Sequence, residues 1–172
     1  TYGNFISSKE SKIFDTTDFG YRRITVERPL QLSYFSKDET KLEALKNDSA
    51  FEKLDVETQK EIFEALKTMD EKIPSQKIFE KEISKKVTLK LSASNLKLLQ
   101  KHLSEHDEEA ELIKDAKGKL VANPDLRDYE NVPLNQDINE YFQKEVIPHV
   151  PQAWIETNKT DSKDGLVGIV GY

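Results

Sequence analysis

The chain has 172 residues, of which 36% are hydrophobic and 34% charged, and its formal net charge is −6. This length is sufficient for a domain with a buried core, but the negative charge disfavours an autonomous nucleic-acid-binding protein, which usually carries a basic surface. The absence of cysteine excludes disulfide bonds, thiolate metal sites and cysteine nucleophiles, and it is consistent with a cytoplasmic protein.

Neither end of the chain carries a targeting or membrane segment that the sequence would reveal. No apolar run approaches the roughly 20 residues of a membrane span, so no membrane association is predicted. The chain begins without methionine and ends on the alternating sequence GIVGY. We therefore interpret it as an internal fragment of a longer protein.

The first segment, residues 1–36, is predicted to be extended. Apolar and polar side chains alternate along Tyr21–Arg28, with Ile24 and Val26 on one face of the predicted strand. Gly20 and Pro29 bound this strand, since both residues interrupt regular structure.

The second segment, residues 37–115, is predicted to be a block of helices rich in Lys and Glu. Asp55 is the predicted N-cap of one helix, and Ser92 or Ser94 caps a later helix. A last, acidic helix is predicted over Glu108–Lys114. This block is expected to be the most variable part of the chain.

The third segment, residues 116–172, is predicted to contain turns, one helix and a terminal strand. A tight hairpin is expected around Lys117 and Gly118, because glycine permits the backbone conformation that such turns need. A helix capped by Asn135 is predicted from Gln136 to Val146. Together the three segments predict an α+β fold that is predominantly helical, with a few short strands near the two ends.

The sequence HLSEH, His102 to His106, has the spacing of inverted zinc peptidases. In such a site two histidines on one helical face hold zinc, and a glutamate activates water. A zinc site would also need a third ligand, whereas here an acidic run follows directly. Two surface histidines near a helix C-terminus, where a cation is favoured, are the preferred interpretation.

The four arginines of the chain are concentrated, since three of them lie within seven positions. Arginine is well suited to phosphate and carboxylate recognition, so a contact to phosphate or to a partner protein is one interpretation. Structural ion pairing is the favoured alternative, because partly buried arginines commonly serve that purpose. The predicted carboxylate partners are Asp15, Asp18 and Glu27.

Two separated blocks resemble the later part of the modification subunit of type I restriction–modification systems. The first is SKIFDTTDFGYRRITVERPLQL, Ser11–Leu32. The second is NPDLRDYENVPLNQDINEYFQKEVIPHVPQAWI, Asn123–Ile155. The blocks have the same order as in that family and cover about a third of the chain, with the helical block between them. In this interpretation residues 1–36 correspond to the end of the methyltransferase core.

The resemblance implies a parent enzyme that transfers a methyl group from S-adenosylmethionine to adenine in duplex DNA. It also implies a complex with the specificity and restriction subunits of the same system. The family's Asn-Pro-Pro-aromatic motif and Gly-rich cofactor loop are both absent from the sequence. No catalytic, cofactor-binding or metal-binding residue is therefore assigned, and the fragment alone is expected neither to methylate DNA nor to bind the cofactor.

The arginines of the two blocks are the only site residues that the sequence suggests. As candidate contacts to duplex DNA or to the sister subunits we take Arg22, Arg23, Arg28 and Arg127. An alternative from another class is a stand-alone acidic helical module that binds a protein partner. The fragment is also expected to self-associate, because a strand removed from its parent sheet has unpaired edges.

Overall fold

The computed structural model describes residues 18–172, and it divides them into two compact units. The outer unit contains the described residues up to Pro29 together with Ala122–Tyr172. The inner unit contains Leu30–Val121. The inner unit is thus inserted into the sequence of the outer one.

The described residues form seven strands and six α-helices. The strands are β1 (Tyr21–Glu27), β2 (Leu32–Phe35), β3 (Lys72–Ile73), β4 (Ser104–His106), β5 (Asp128–Pro133), β6 (Trp154–Ile155) and β7 (Ile169–Gly171). The helices are α1 (Glu39–Lys46), α2 (Ser49–Glu52), α3 (Val56–Lys67), α4 (Gln76–Lys86), α5 (Ala93–Leu103) and α6 (Ile138–Tyr141). A 3₁₀ turn covers Pro124–Leu126, and α6 continues into a π-helical turn, Phe142–Val146.

The prediction of a predominantly helical chain is wrong. Of the residues that the structure describes, 38% are helical and 23% are in strands or bridges, with two antiparallel sheets, so the fold is a mixed α+β arrangement. The predicted helix over Glu108–Lys114 is replaced by turns and isolated bridges, such as Gln31 with Leu112. These pairings join segments that are far apart in the sequence, and a local pattern does not reveal them.

The outer unit is built on a four-stranded antiparallel sheet with β1 at its centre. Strand β5 pairs with one edge of β1 over six residue pairs, from Tyr21 with Pro133 to Val26 with Asp128. Strands β6 and β7 both pair with β1 as well. Both edges of β1 are therefore paired within the unit. Self-association through unpaired edges of this strand, which was the reason for the prediction, is not possible while these pairs are formed.

The core of the outer unit lies on one face of that sheet. Ile24 and Val26, which alternate along β1, are fully or almost fully buried there, as the period-two pattern predicts. Phe142 and Val146 from the π-helical turn pack against them. The predicted helix is present, but Asp137 rather than Asn135 caps it, since the Asp137 carboxylate accepts the N–H groups of the first turn.

The inner unit combines a three-stranded antiparallel sheet with five helices. Strand β2 lies between β3 and β4 in this sheet. Asp55 caps α3 through its side-chain oxygen, which confirms that predicted cap, and of the two serines predicted for α5 it is Ser92 that caps the helix. The core side chains have exposed fractions below 5% and include Tyr34, Leu45, Phe51, Ile62, Leu66, Phe79, Ile83, Leu99 and Leu103. In the part of the chain that the structure describes, no helix is both long and apolar enough to cross a membrane.

The ends of the inner unit lie side by side. The Leu30 N–H donates to the Val121 carbonyl at 2.7 Å. In the outer unit the residues just before and just after the insertion, Pro29 and Ala122, form a β-bridge. Within the insertion the Lys117–Gly118 turn is present as predicted, with Gly118 at a φ of 80° and an Asp115 N–H bonded to the Lys119 carbonyl.

The partly buried carboxylate of Asp107 connects two strands of the inner sheet. It accepts the Ser33 hydroxyl at 2.5 Å and the Lys72 ammonium at 2.7 Å, and so links β2 and β3 to the segment after β4. The Lys72 ammonium, followed by the Ser33 hydroxyl, lowers the pKa of the Asp107 carboxyl to about 2. This carboxylate therefore contributes to stability only while it is ionised.

The low pKa of Asp107 predicts acid sensitivity of the inner unit. Because its pKa is lower in the folded chain than in the unfolded one, its contribution is complete above about pH 4 and is lost as the pH falls towards 2. We expect the urea midpoint, followed by far-ultraviolet circular dichroism, to fall over this range. In Asp107→Asn the fall should be shallower, whereas the control Asp125→Asn, at an exposed position in the outer unit, should retain it. Equal pH profiles for Asp107→Asn and the parent chain would contradict the assignment.

Candidate functional site

The two faces of the outer sheet differ in what covers them. Residues directly opposite each other in an antiparallel pair lie on the same face. Arg22 is paired with Val132 and Val26 with Asp128, and these residues lie on the face that the π-helical turn covers. Arg23 is paired with Asn131 and lies on the other face. We call it the open face because Arg23 and Asn131 are exposed there, although Thr25 and Glu27 further along the same face are buried.

Arg22 is held on the covered face by a carboxylate and a carbonyl. Its guanidinium makes a two-pronged ion pair with Asp164 and also donates to the Gly168 carbonyl at 3.3 Å. The Arg22 guanidinium and the Leu166 N–H hold the pKa of the Asp164 carboxyl below its ordinary value. Gly168, at a φ of 85°, has no room for a Cβ, which would lie 2.9 Å from the Arg23 carbonyl oxygen. Arg22 is therefore a structural residue, fixed between β1 and the last loop.

Arg127 is paired with a buried carboxylate. Its Nε donates to Oε1 of Glu27 at 2.7 Å, and the Glu27 side chain is only 1% exposed. The other carboxylate oxygen of Glu27 is buried without a hydrogen-bond partner. Arg127 thus provides the cation that compensates a buried charge.

Arg28 forms a longer ion pair with an exposed carboxylate. One of its terminal nitrogens lies 3.9 Å from Asp128, and its Nε is buried without a hydrogen-bond partner. Of the three clustered arginines for which ion pairing was the favoured interpretation, Arg22 and Arg28 are in ion pairs and Arg23 is in none among the described residues. Their partners include Asp164 and Asp128, which were not among the predicted ones, while Asp15 lies outside the described residues.

Arg23 differs from the other three arginines. It is exposed, and in residues 18–172 it forms no ion pair. Its guanidinium carbon lies 4.4 Å from the centre of the Tyr129 ring, and the Lys159 ammonium lies 5.9 Å from the same centre. We call these three residues the Arg23–Tyr129–Lys159 cluster. It places two positive charges around one half-exposed aromatic ring.

The two histidines of HLSEH do not share a helical face. Helix α5 ends at Leu103 and strand β4 begins at Ser104, so His102 and His106 lie in different elements. His102 Nε2 is 2.8 Å from an Asp48 oxygen, and His106 Nδ1 is 3.2 Å from the Gln31 carbonyl. No group of three or more candidate ligands capable of holding a metal ion occurs in the described part of the chain. The geometry expected of a zinc peptidase is therefore absent from these residues.

Sequence reasoning identified Arg23 but missed its two neighbours. Tyr129 lies far from Arg23 in the sequence and comes close to it only through the register of β1 with β5, in which Thr25 faces Tyr129. Lys159 lies in a loop without any motif. A pattern of alternating residues in β5 would have been the only available signal, and Asp128–Pro133 does not alternate in hydrophobicity.

Comparison with known proteins identifies no relative: no protein-family model, no curated protein and no solved structure matches the chain. A functional assignment therefore depends on the residues and geometry described above. These define a mixed α+β chain whose open sheet face carries a cationic, aromatic cluster and whose other arginines are structural.

Proposed function

We propose that the chain is a non-catalytic region of the DNA-methylating subunit of a type I restriction–modification system. The parent enzyme would use S-adenosylmethionine to methylate adenine in duplex DNA, with the cofactor and the catalytic motifs located outside this region. The region itself serves as a structural segment that contacts DNA or the specificity and restriction subunits.

The observation that carries this proposal is that the two blocks resembling this family build one unit together. Strand β1 comes from the first block and pairs with β5 and β6 from the second. The core of the outer unit likewise combines Ile24 and Val26 with Val132 and Phe142. The intervening residues fold as a unit of their own. Two blocks that belong to one domain are expected to pack together, because each needs the other to bury its apolar face.

The reading frame that encodes the chain provides the most direct test of the proposal. We expect the frame to include an Asn-Pro-Pro-aromatic motif upstream of Thr1. We also expect its complete product, purified with the specificity subunit, to transfer labelled methyl groups from S-adenosylmethionine to adenine in duplex DNA. The product in which the asparagine of that motif is replaced by alanine is the control and should be inactive.

Two outcomes would contradict the proposal. One is a complete product that lacks the motif, for example because an initiator methionine directly precedes Thr1. The other is a motif-containing product that does not methylate DNA in the presence of its specificity subunit. The first result would favour the stand-alone protein-interaction module instead.

A further inference from the structure

We infer that the Arg23–Tyr129–Lys159 cluster is a contact site for the phosphate backbone of duplex DNA. The inference deepens the proposed function and rests on it, since it names the surface through which this region meets DNA. It concerns a single face of the outer sheet, and it assigns no contact to Arg22, Arg28 or Arg127.

The Arg23 side chain of the cluster is held in place before any ligand binds. The Tyr129 ring lies 4.4 Å from the Arg23 guanidinium carbon and is 46% exposed, so it supports the cation without covering it from solvent. A side chain that is already held in place loses less conformational freedom when it binds a ligand. Arg23 can therefore contact an anion at a reduced entropic cost, with Lys159 nearby as a second cation.

The acidic residues of β5 lie on the face of the sheet that does not carry the cluster. Asp128 and Glu130 of β5 face the covered side of the sheet, since they are paired with Val26 and Ile24. On the open face Glu156 bonds to Thr25 through its backbone, and its carboxylate accepts the Asn158 N–H. The Glu27 carboxylate, which lies on the same face, is paired with Arg127. The two cations of the cluster therefore outnumber the remaining Glu156 carboxylate, and the cluster is a locally cationic area on an acidic chain that complements a polyanion.

The side chains of the cluster are of the kinds that donate hydrogen bonds to phosphate oxygens. Arg, Lys, Tyr and Asn side chains are typical contacts to phosphate oxygens in protein–DNA complexes. Arg23, Tyr129 and Lys159 supply three of these groups, and Asn131, exposed directly opposite Arg23, supplies the fourth. The guanidinium lies over the Tyr129 ring and so occupies a face on which an unstacked base would otherwise lie. This arrangement favours the backbone of a duplex over a single strand.

Fluorescence anisotropy with a short labelled duplex at low salt tests the inference on the full 172-residue chain. We expect Arg23→Ala and Lys159→Ala each to weaken binding by about fivefold and to reduce the slope of log K against log salt by about one, as expected for one phosphate contact. Tyr129→Ala should weaken binding similarly, because it releases the Arg23 side chain. The matched control is Lys144→Ala, which removes one positive charge from the π-helical turn, where the Lys144 side chain is 83% exposed and lies 3.5 Å from Glu145.

The inference is overturned if the parent chain does not bind the duplex at low salt. It is also overturned if Arg23→Ala and Lys159→Ala bind as the Lys144→Ala control does. Competition by polyglutamate as strong as that by unlabelled duplex would indicate an acidic protein partner and would likewise overturn it. None of these results affects methyl transfer by the complete product, so failure of this inference is distinguishable from failure of the proposed function.

Discussion

Replacing Arg127 with alanine should lower the free energy of unfolding of the outer unit by about 3 kcal/mol, because it leaves the Glu27 carboxylate buried without a cation. Glu27 is 1% exposed, and its second carboxylate oxygen already lacks a hydrogen-bond partner. Removing one member of a buried ion pair typically costs about 3–5 kcal/mol. We expect the lower end of that range, because the Arg127 side chain is 35% exposed and water can enter the space it leaves.

Urea unfolding followed by the fluorescence of Trp154, the only tryptophan, measures this effect within the outer unit. The double variant Glu27→Gln/Arg127→Ala should recover part of the loss, because it no longer buries a charge. The control Arg23→Ala, at an exposed position outside any ion pair in the described residues, should change stability by less than about 0.5 kcal/mol. A loss below about 1 kcal/mol in Arg127→Ala would show that the pair is not structurally important.

Replacing Phe79 with alanine should destabilise the inner unit by about 4 kcal/mol. The Phe79 side chain is fully buried and stacks on Tyr34, with ring centroids 4.6 Å apart and planes 13° from parallel. The substitution removes buried apolar surface, leaves a cavity and abolishes the ring contact, and such changes typically cost about 3–5 kcal/mol. Helix α4 would also lose the ring contact that joins it to strand β2.

Circular dichroism at the helical wavelength measures this change, because five helices belong to the inner unit. The matched control is Ile78→Ala, a large apolar residue one position earlier on α4 whose side chain is 49% exposed. Ile78→Ala should cost less than about 1 kcal/mol, since little apolar surface is lost from the core. Equal losses in the two variants would contradict the packing described for Phe79.

Local features of the fold were predictable from the sequence. The alternation of Tyr21–Arg28 and its bounding Gly20 and Pro29 correctly predict β1, because a half-buried strand imposes a period of two. Asp55 and Ser92 were recognised as caps, because a cap depends on hydrogen bonds within three residues. Such features are encoded within a few positions and need no knowledge of the tertiary structure.

The pairing of the strands and the distinction between structural and exposed arginines were not predictable in the same way. Strand β6 is only two residues long and has no room for a recognisable alternation. The terminal strand β7 was predicted from GIVGY, but its pairing with β1 was not. Arg22 is paired with Asp164 and Arg127 with Glu27 across 142 and 100 positions. The alternation along β1 already separates Arg23 from Arg22, which lies on the same face as Ile24 and Val26. The distant ion-pair partners and the register of β1 with β5, which decide whether an arginine is structural or available, cannot be read from one sequence, because a shift of one residue in the register would change the partners.

The bridge between Pro29 and Ala122 has a consequence for the evolution of the chain's length. For the outer unit, the 92 residues from Leu30 to Val121 act as one loop whose two ends are already held together. The entropic cost of closing a loop grows only with the logarithm of its length, so doubling it costs about 0.6 kcal/mol. Insertions and deletions between these two residues are therefore nearly neutral for the outer sheet, whereas a change within β1 or β5 is not.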